Sequence, residues 1–199
     1  MEITERLDNI EKLLNEAKAK IDRALADCPP FLKTQNRPAL AFYHANAKGT
    51  GCAVKMTLHP ATVDEAGTTT DGCIWLEIAQ QMTVGNRMGP NPTFPRFDWD
   101  NVIAVKLRFD DITKMLQVFR GECETINGDH GLYHRDANGS VKIVLRHLID
   151  PVSGYSLELY ATHAGGGEES RAHFLMSNSE ALGICEAFTG SMRLIAFGE

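Results

Sequence analysis

Long apolar runs and paired cysteines are both missing from this sequence. No stretch approaches the length of about 18 apolar residues that a membrane-spanning helix needs, so none is expected. The five cysteines are odd in number and scattered, without a Cys-x-x-Cys pair, which argues against a disulfide framework and a zinc site. The N-terminus has no secretory leader and is too acidic for an organelle transit peptide, so we expect a reducing cytoplasm.

Signatures of catalysis are equally scarce. Gly165–Gly167 precedes no Gly-Lys-Ser/Thr and therefore predicts a hairpin turn rather than a phosphate loop. His44 and His134 are candidate bases, but strand alternation places both on the inward side, which favours core histidines. Asp98 and Asp100 could bind a cation, although their Pro-rich surroundings favour a loop. The aromatic side chains of that loop are expected to pack as a local lid: Phe94, Phe97 and Trp99. We expect no catalytic residue, no metal and no cofactor.

Positive charge is limited overall but concentrated in one segment. The 199 residues include 20 Lys and Arg against 26 Asp and Glu, a formal net charge of −6 in an ordinary globular composition. That balance argues against a protein that coats duplex DNA through a general positive field. Residues 28–63, however, contain Lys33, Arg37, Lys48 and Lys55 and no acidic residue. One side of the protein can therefore be positive.

Residues 2–27 have the pattern of one helix. Apolar residues recur at alternating spacings of four and three, which is a heptad seam, and Pro29-Pro30 ends the pattern. The seam predicts an amphipathic or short coiled-coil helix over residues 1–28. Such a helix could join subunits or fold back on its own domain, and the sequence leaves both possibilities open.

The remaining chain repeats itself in a constant order. Tyr43–Gly49, followed by Ala53–Leu58, returns as Tyr133–Gly139 followed by Ser140–Leu145. Leu76-Glu77-Ile78 is echoed by Leu157-Glu158-Leu159. Because the echoes keep their order, they predict a duplication, with copies at about 38–124 and 130–197 inside a single domain over 35–197.

Both copies have the same predicted plan of four strands and a helix. The predicted strands are 38–46, 51–59, 72–80 and 102–109 in copy one, and 131–135, 140–149, 154–163 and 170–176 in copy two. A helix over 110–121, with Asp110-Asp111 as cap candidates, ends copy one. In copy two, Ser177 and Glu180 have the spacing of a capping box. The predicted fold class is α+β, with two four-stranded antiparallel sheets, each followed by a helix, after an N-terminal heptad helix.

Strand alternation predicts one face of each sheet that mixes aromatic and basic side chains. The aromatic residues are Tyr43, Trp75, Tyr133 and Tyr160, and the basic residues are Lys55, Lys106, Arg108, Lys142 and Arg146. Such a mixture suits single-stranded nucleic acid, because bases stack on aromatic rings while cations contact phosphates. The same lysines could instead form solvated cross-strand ladders, pairing Lys55 with Glu77 and Lys142 with Glu158.

The doubled strand-and-helix plan resembles the Whirly family of single-stranded DNA-binding proteins and the trypanosomatid guide-RNA-binding proteins that share their fold. It is also similar in plan to Pur-type proteins. Whirly proteins have a Lys-Gly-Lys-Ala-Ala-Leu motif, where this chain has Lys33-Thr34-Gln35-Asn36-Arg37-Pro38-Ala39-Leu40. The resemblance implies tetramers that bind single strands, with Lys33 and Arg37 as the matching basic positions. Without a transit peptide, a bacterial or phage relative is the expected source.

These observations predict a non-enzymatic single-stranded nucleic-acid-binding protein of low sequence specificity. Single-stranded DNA is favoured over RNA, and a homo-oligomer, dimer or tetramer, is expected. The alternative is an oligomeric scaffold or adaptor that binds protein partners through its heptad helix and its sheet edges.

Overall fold

The structure is a computed structural model, and it describes residues 39–198 except 64, 87, 89, 90, 129, 138, 152 and 167. The predicted heptad helix, Lys33 and Arg37 lie outside the described residues. The described elements, in chain order, are β1 Ala39–His44, β2 Cys52–His59, β3 Thr62–Val63, β4 Thr69–Thr70, β5 Cys73–Thr83, β6 Arg96–Phe97, β7 Ile103–Leu107, α1 Phe109–Phe119, β8 Leu132–Asp136, β9 Gly139–Leu148, β10 Gly154–His163, β11 Ser170–Met176 and α2 Asn178–Phe197.

The strands form two antiparallel sheets, each followed by a helix, in an α+β fold. In the N-terminal sheet β1, β2 and β5 lie side by side. The long β5 pairs with β7 through Ile74–Ile78 and with β6 through Gln81–Thr83. The C-terminal sheet has the order β11-β10-β9-β8. The predicted strand plan is confirmed, with β6 as an addition to the first sheet and a short β3–β4 hairpin outside both. The duplication itself stays a prediction.

Period-two alternation separates the faces of both sheets, as expected from the sequence. The inward side chains of β5 and β10, which include Leu76, Ile78, Leu157 and Leu159, are almost completely buried. They share one core with residues of both helices, such as Met115 and Phe188. The side of each sheet that is turned away from this core is called its outer face below.

Helix α1 begins at Phe109, one residue before the predicted start at 110. Its N-cap is Arg108, whose backbone N–H donates to Asp111 Oδ2 at 2.8 Å. Asp111 therefore accepts the hydrogen bond of the N-cap N–H from the third position of the helix. The prediction that Asp110-Asp111 occupy the cap position was wrong. The predicted strand 102–109 ends at Leu107 for the same reason, which puts Phe109 in the helix and leaves it exposed. In α2 the predicted capping box of Ser177 and Glu180 is confirmed.

Each predicted inward histidine contacts the helix of the other half. His44 Nε2 lies 2.6 Å from Glu180 Oε1 at the start of α2, and its ring stacks on Phe174 at 4.4 Å. His134 Nε2 lies 3.3 Å from Asp111 Oδ1 at the start of α1. Burial raises the pKa of both carboxyl groups, but their hydrogen bonds outweigh it and the net pKa of each is lowered. The two histidines therefore join the halves of the fold.

Candidate nucleic-acid interface

The outer face of the C-terminal sheet carries a row that crosses all four strands. Tyr133, Lys142, Tyr160 and Arg171 are cross-strand neighbours in register on β8, β9, β10 and β11. Neighbouring strands lie about 4.8 Å apart, so the row alternates ring and cation at short, regular intervals. Tyr133 is 65% exposed, and the Arg171 guanidinium lies 5.2 Å from the centre of the Tyr160 ring. This row, named here the tyrosine–cation row, contains three predicted residues and adds Arg171.

A buried carboxylate fixes the geometry of the tyrosine–cation row. Glu158 is only 6% exposed, and it accepts hydrogen bonds from the Tyr160 hydroxyl and from Arg171 Nη2. Arg146 Nη1 lies 3.4 Å from its other oxygen. Burial raises the pKa of Glu158, but the hydrogen bonds from Tyr160 and Arg171 outweigh it and hold that pKa below its ordinary value of 4.5. Glu158 therefore remains ionised at neutral pH and orients the ring and both guanidinium groups.

The predicted Lys142–Glu158 ladder was wrong. Lys142 and Arg171 both lie opposite Tyr160, but only Arg171 pairs with Glu158. The carboxylate is taken by the two arginines, and Lys142 forms no ion pair with any described residue. Three cations, Lys142, Arg146 and Arg171, therefore lie on this face near Glu158, although the formal net charge of the whole chain is −6.

The outer face of the N-terminal sheet places its predicted residues differently. Tyr43 is 59% exposed and Trp75 38% exposed, and Lys106 is in register with Trp75. Lys55 Nζ lies 2.8 Å from Glu77 Oε2, which confirms the ladder expected for this pair. Arg108 is exposed beyond the end of β7, at the N-cap of α1.

A segment that follows β5 packs onto this face. The Tyr43 ring centre lies 5.5 Å from that of Phe97 and 6.3 Å from that of Trp99. Lys55 Nζ lies 5.0 Å from the centre of the Trp99 ring. The predicted packing of the loop's aromatic rings is confirmed for Phe97 and Trp99, whereas Phe94 is 73% exposed and takes no part in these ring contacts.

Sequence reasoning missed Arg171, Phe97 and Trp99 as outer-face residues. Arg171 could have been found, because β11 alternates exposed and buried residues as regularly as the strands whose faces were assigned. Phe97 and Trp99 follow a loop and have no neighbours whose periodicity would assign them to a face. Lys33 and Arg37, the remaining predicted site residues, lie outside the described residues.

Other kinds of site find little support in the part of the chain that the structure describes. It contains no group of three or more His, Cys, Asp or Glu side chains that could hold a metal ion. None of its helices is both long and apolar enough to cross a membrane.

The sequence matches no family model and no curated protein. Solved structures do match. WHY3 from Arabidopsis thaliana superimposes with a TM-score of 0.62 at 14% identity, covering 82% of this chain and 90% of that one. The fold is Whirly-like. At this identity the likeness concerns the fold, and the similarity to Pur-type proteins stays a prediction.

Two further solved structures have a similar fold. MRP1/MRP2 of Trypanosoma brucei match with a TM-score of 0.54 at 14% identity, over 90% of this chain and 92% of that one. A guide-RNA-binding protein complex bound to a guide RNA matches with a TM-score of 0.52 at 14% identity, over 84% and 98%. The Whirly-like fold therefore extends over nearly the whole length of these proteins.

Proposed function

We propose that this protein binds single-stranded nucleic acid on the outer faces of its sheets, without catalysing a reaction. The observation that carries the proposal is the tyrosine–cation row, in which Tyr133, Lys142, Tyr160 and Arg171 alternate across four strands. Unpaired bases stack on exposed rings, and phosphates are contacted by the cations between them. Neither interaction reads a base edge, so the sequence specificity is low.

The choice of single strands over duplexes follows from where the rings lie. The rings of Tyr133 and Tyr43 are exposed on the broad faces of sheets, where a stacked duplex cannot offer the flat side of its bases. The net charge of −6 also disfavours general attraction to duplex DNA. The Whirly resemblance favours DNA over RNA, and the structure of a guide-RNA-binding complex with this fold makes RNA the natural competitor.

A fluorescence anisotropy titration with a labelled thymidine oligonucleotide, at low and at physiological salt, tests the proposal. The logarithm of the association constant is expected to fall linearly with the logarithm of the salt concentration, with a slope of about −0.7 per phosphate contacted. A matched control is Lys114→Gln, because Lys114 lies on α1 and pairs with Asp110 at 2.6 Å, away from the outer faces. Competition with the unlabelled ribo-oligonucleotide ranks DNA against RNA. Absence of binding at low salt, or binding that is indifferent to salt, would contradict the proposal.

An adaptor that binds protein partners is the second candidate, favoured by exposed apolar side chains on α2. Leu182 is 62% and Phe197 76% exposed. A surface of this kind fits an oligomer or a protein partner. If the protein is an adaptor, Lys142→Glu should leave the binding of its protein partner intact. If it binds nucleic acid, the same substitution should weaken oligonucleotide binding.

A further inference from the structure

The two outer faces contain the same four kinds of group. Each has an exposed tyrosine, Tyr43 or Tyr133, and the other three groups lie on the same face. In the C-terminal sheet Arg171 binds Glu158 and lies 5.2 Å from the Tyr160 ring. In the N-terminal sheet Lys55 binds Glu77 and lies 5.0 Å from the Trp99 ring. Both faces therefore combine a tyrosine, a carboxylate, a cation and a ring that the cation contacts.

The ring comes from a different place in each face. Leu157-Glu158-Leu159 on β10 is followed by Tyr160, whereas the matching Leu76-Glu77-Ile78 on β5 is followed by Ala79. The strand of the N-terminal sheet thus has no ring two residues after its glutamate. Ala79 and its cross-strand neighbour Ala53 are nonetheless completely buried, although they lie on the outer face. We attribute this burial to the rings of Phe97 and Trp99.

Backbone contacts hold Trp99 at this position. The Asp98 N–H donates to the Gln80 carbonyl at 2.8 Å, so the segment continues the edge of β5 beyond β6. The Asp98 carboxylate accepts from the Asn101 backbone at 3.2 Å and from its side chain, which closes the turn after Trp99. The ring is therefore held by a short ordered turn, and it remains partly exposed.

We propose that Trp99 is a base-stacking residue of the N-terminal outer face, supplying the ring that β5 lacks at Ala79. The inference rests on the proposed function and extends it, because it makes the N-terminal sheet a second binding face for the same strand. A base stacks on the partly exposed indole beside Tyr43. Lys55 and Lys106 lie on the same face and contact the phosphates of the bound strand.

Tryptophan fluorescence tests this directly, because the chain has only two tryptophans, Trp75 and Trp99. In Trp75→Phe the signal comes from Trp99 alone, and titration with an unlabelled thymidine oligonucleotide is expected to quench it with the midpoint seen by anisotropy. Trp99→Phe is the matched control that reports on Trp75. Unchanged Trp99 fluorescence during binding would overturn the inference and leave the proposed function intact. A chain that binds no oligonucleotide would overturn both.

Affinity gives a second test with a clear sign. In a Tyr133→Ala background, which weakens the C-terminal face, Trp99→Ala is expected to lower affinity roughly fivefold to a hundredfold. Trp99→Phe should restore most of the loss, and Phe94→Ala, whose ring is exposed elsewhere on the segment, should have little effect. Thermal unfolding verifies that each variant is folded. Equal or tighter binding by Trp99→Ala would show a covering lid instead of a stacking residue, and would overturn the inference.

Discussion

The outer faces of the two sheets carry similar side chains in arrangements that are built differently. In the C-terminal sheet every group stands on a strand, and a buried Glu158 holds the row together. In the N-terminal sheet the carboxylate, Glu77, is paired with the face's own lysine, and one ring comes from the segment after β5. The comparison shows that Lys142 of the C-terminal face has no ion-pair partner among the described residues. Lys55 of the N-terminal face, in contrast, already contacts both Glu77 and the Trp99 ring.

Charge reversal at the two matched lysines is the strongest way to break this comparison. Lys142→Glu should weaken oligonucleotide binding roughly tenfold or more at low salt, because it places a carboxylate next to phosphates. Lys55→Glu should have a smaller effect, since Lys55 Nζ already lies 2.8 Å from Glu77. Anisotropy titrations of both variants beside Lys114→Gln measure the difference. Equal losses at the two lysines would mean that the faces are equivalent, and a larger loss at Lys55 would reverse the comparison.

The two glutamates should differ in what they contribute to stability. Glu158→Gln should lower the free energy of unfolding at neutral pH by about 1–3 kcal/mol, because the side chain is buried and bonded to charged donors. Glu77→Gln should lower it by about 0–1 kcal/mol, since its ion pair with Lys55 is partly exposed. Chemical denaturation of both variants measures these values.

The effect of Glu158 should also depend on pH with a definite sign. The pKa of Glu158 is lower in the folded chain than its ordinary value of 4.5, so its full contribution to the free energy of unfolding is present above pH 4.5. This contribution to stability is lost as the pH falls through the lowered pKa. The difference in free energy of unfolding between Glu158→Gln and the unsubstituted chain should therefore become smaller in that pH range. A difference in free energy of unfolding that stays constant through this range would mean that Glu158 does not stabilise the fold as an anion.

Much of the fold could be predicted from the sequence, because alternation in the strands is a local signal. The bounds of β10 and β11 match the predicted 154–163 and 170–176, and the capping box of Ser177 starts α2 as expected. Cross-strand register is not local. Alternation places Lys142, Arg171 and Glu158 on one face, and Lys142 and Arg171 both lie opposite Tyr160, so neither alternation nor register specifies which cation binds Glu158. That depends on the side-chain geometry of the folded sheet, where Arg146 and Arg171 take the carboxylate.

The candidate site was predictable to a similar degree and for the same reason. Tyr133, Lys142 and Tyr160 were assigned to one face by alternation and do share a row. Trp99 could not be assigned, because its position depends on the turn that Asp98 and Asn101 form against the edge of β5. The overall charge of −6 was equally uninformative about the local surface, where Arg146 and Arg171 both pair with Glu158.

The most direct test of the central claim is to map where a strand contacts the protein. A bromouracil-substituted single-stranded oligonucleotide, cross-linked by ultraviolet light and analysed by mass spectrometry, reports the contacted residues. The account predicts cross-links at the outer-face rings, with Tyr133 and Tyr160 on the C-terminal sheet and Tyr43 and Trp99 on the N-terminal face. Cross-links confined to the exposed surface of α2, around Leu182 and Phe197, would contradict it.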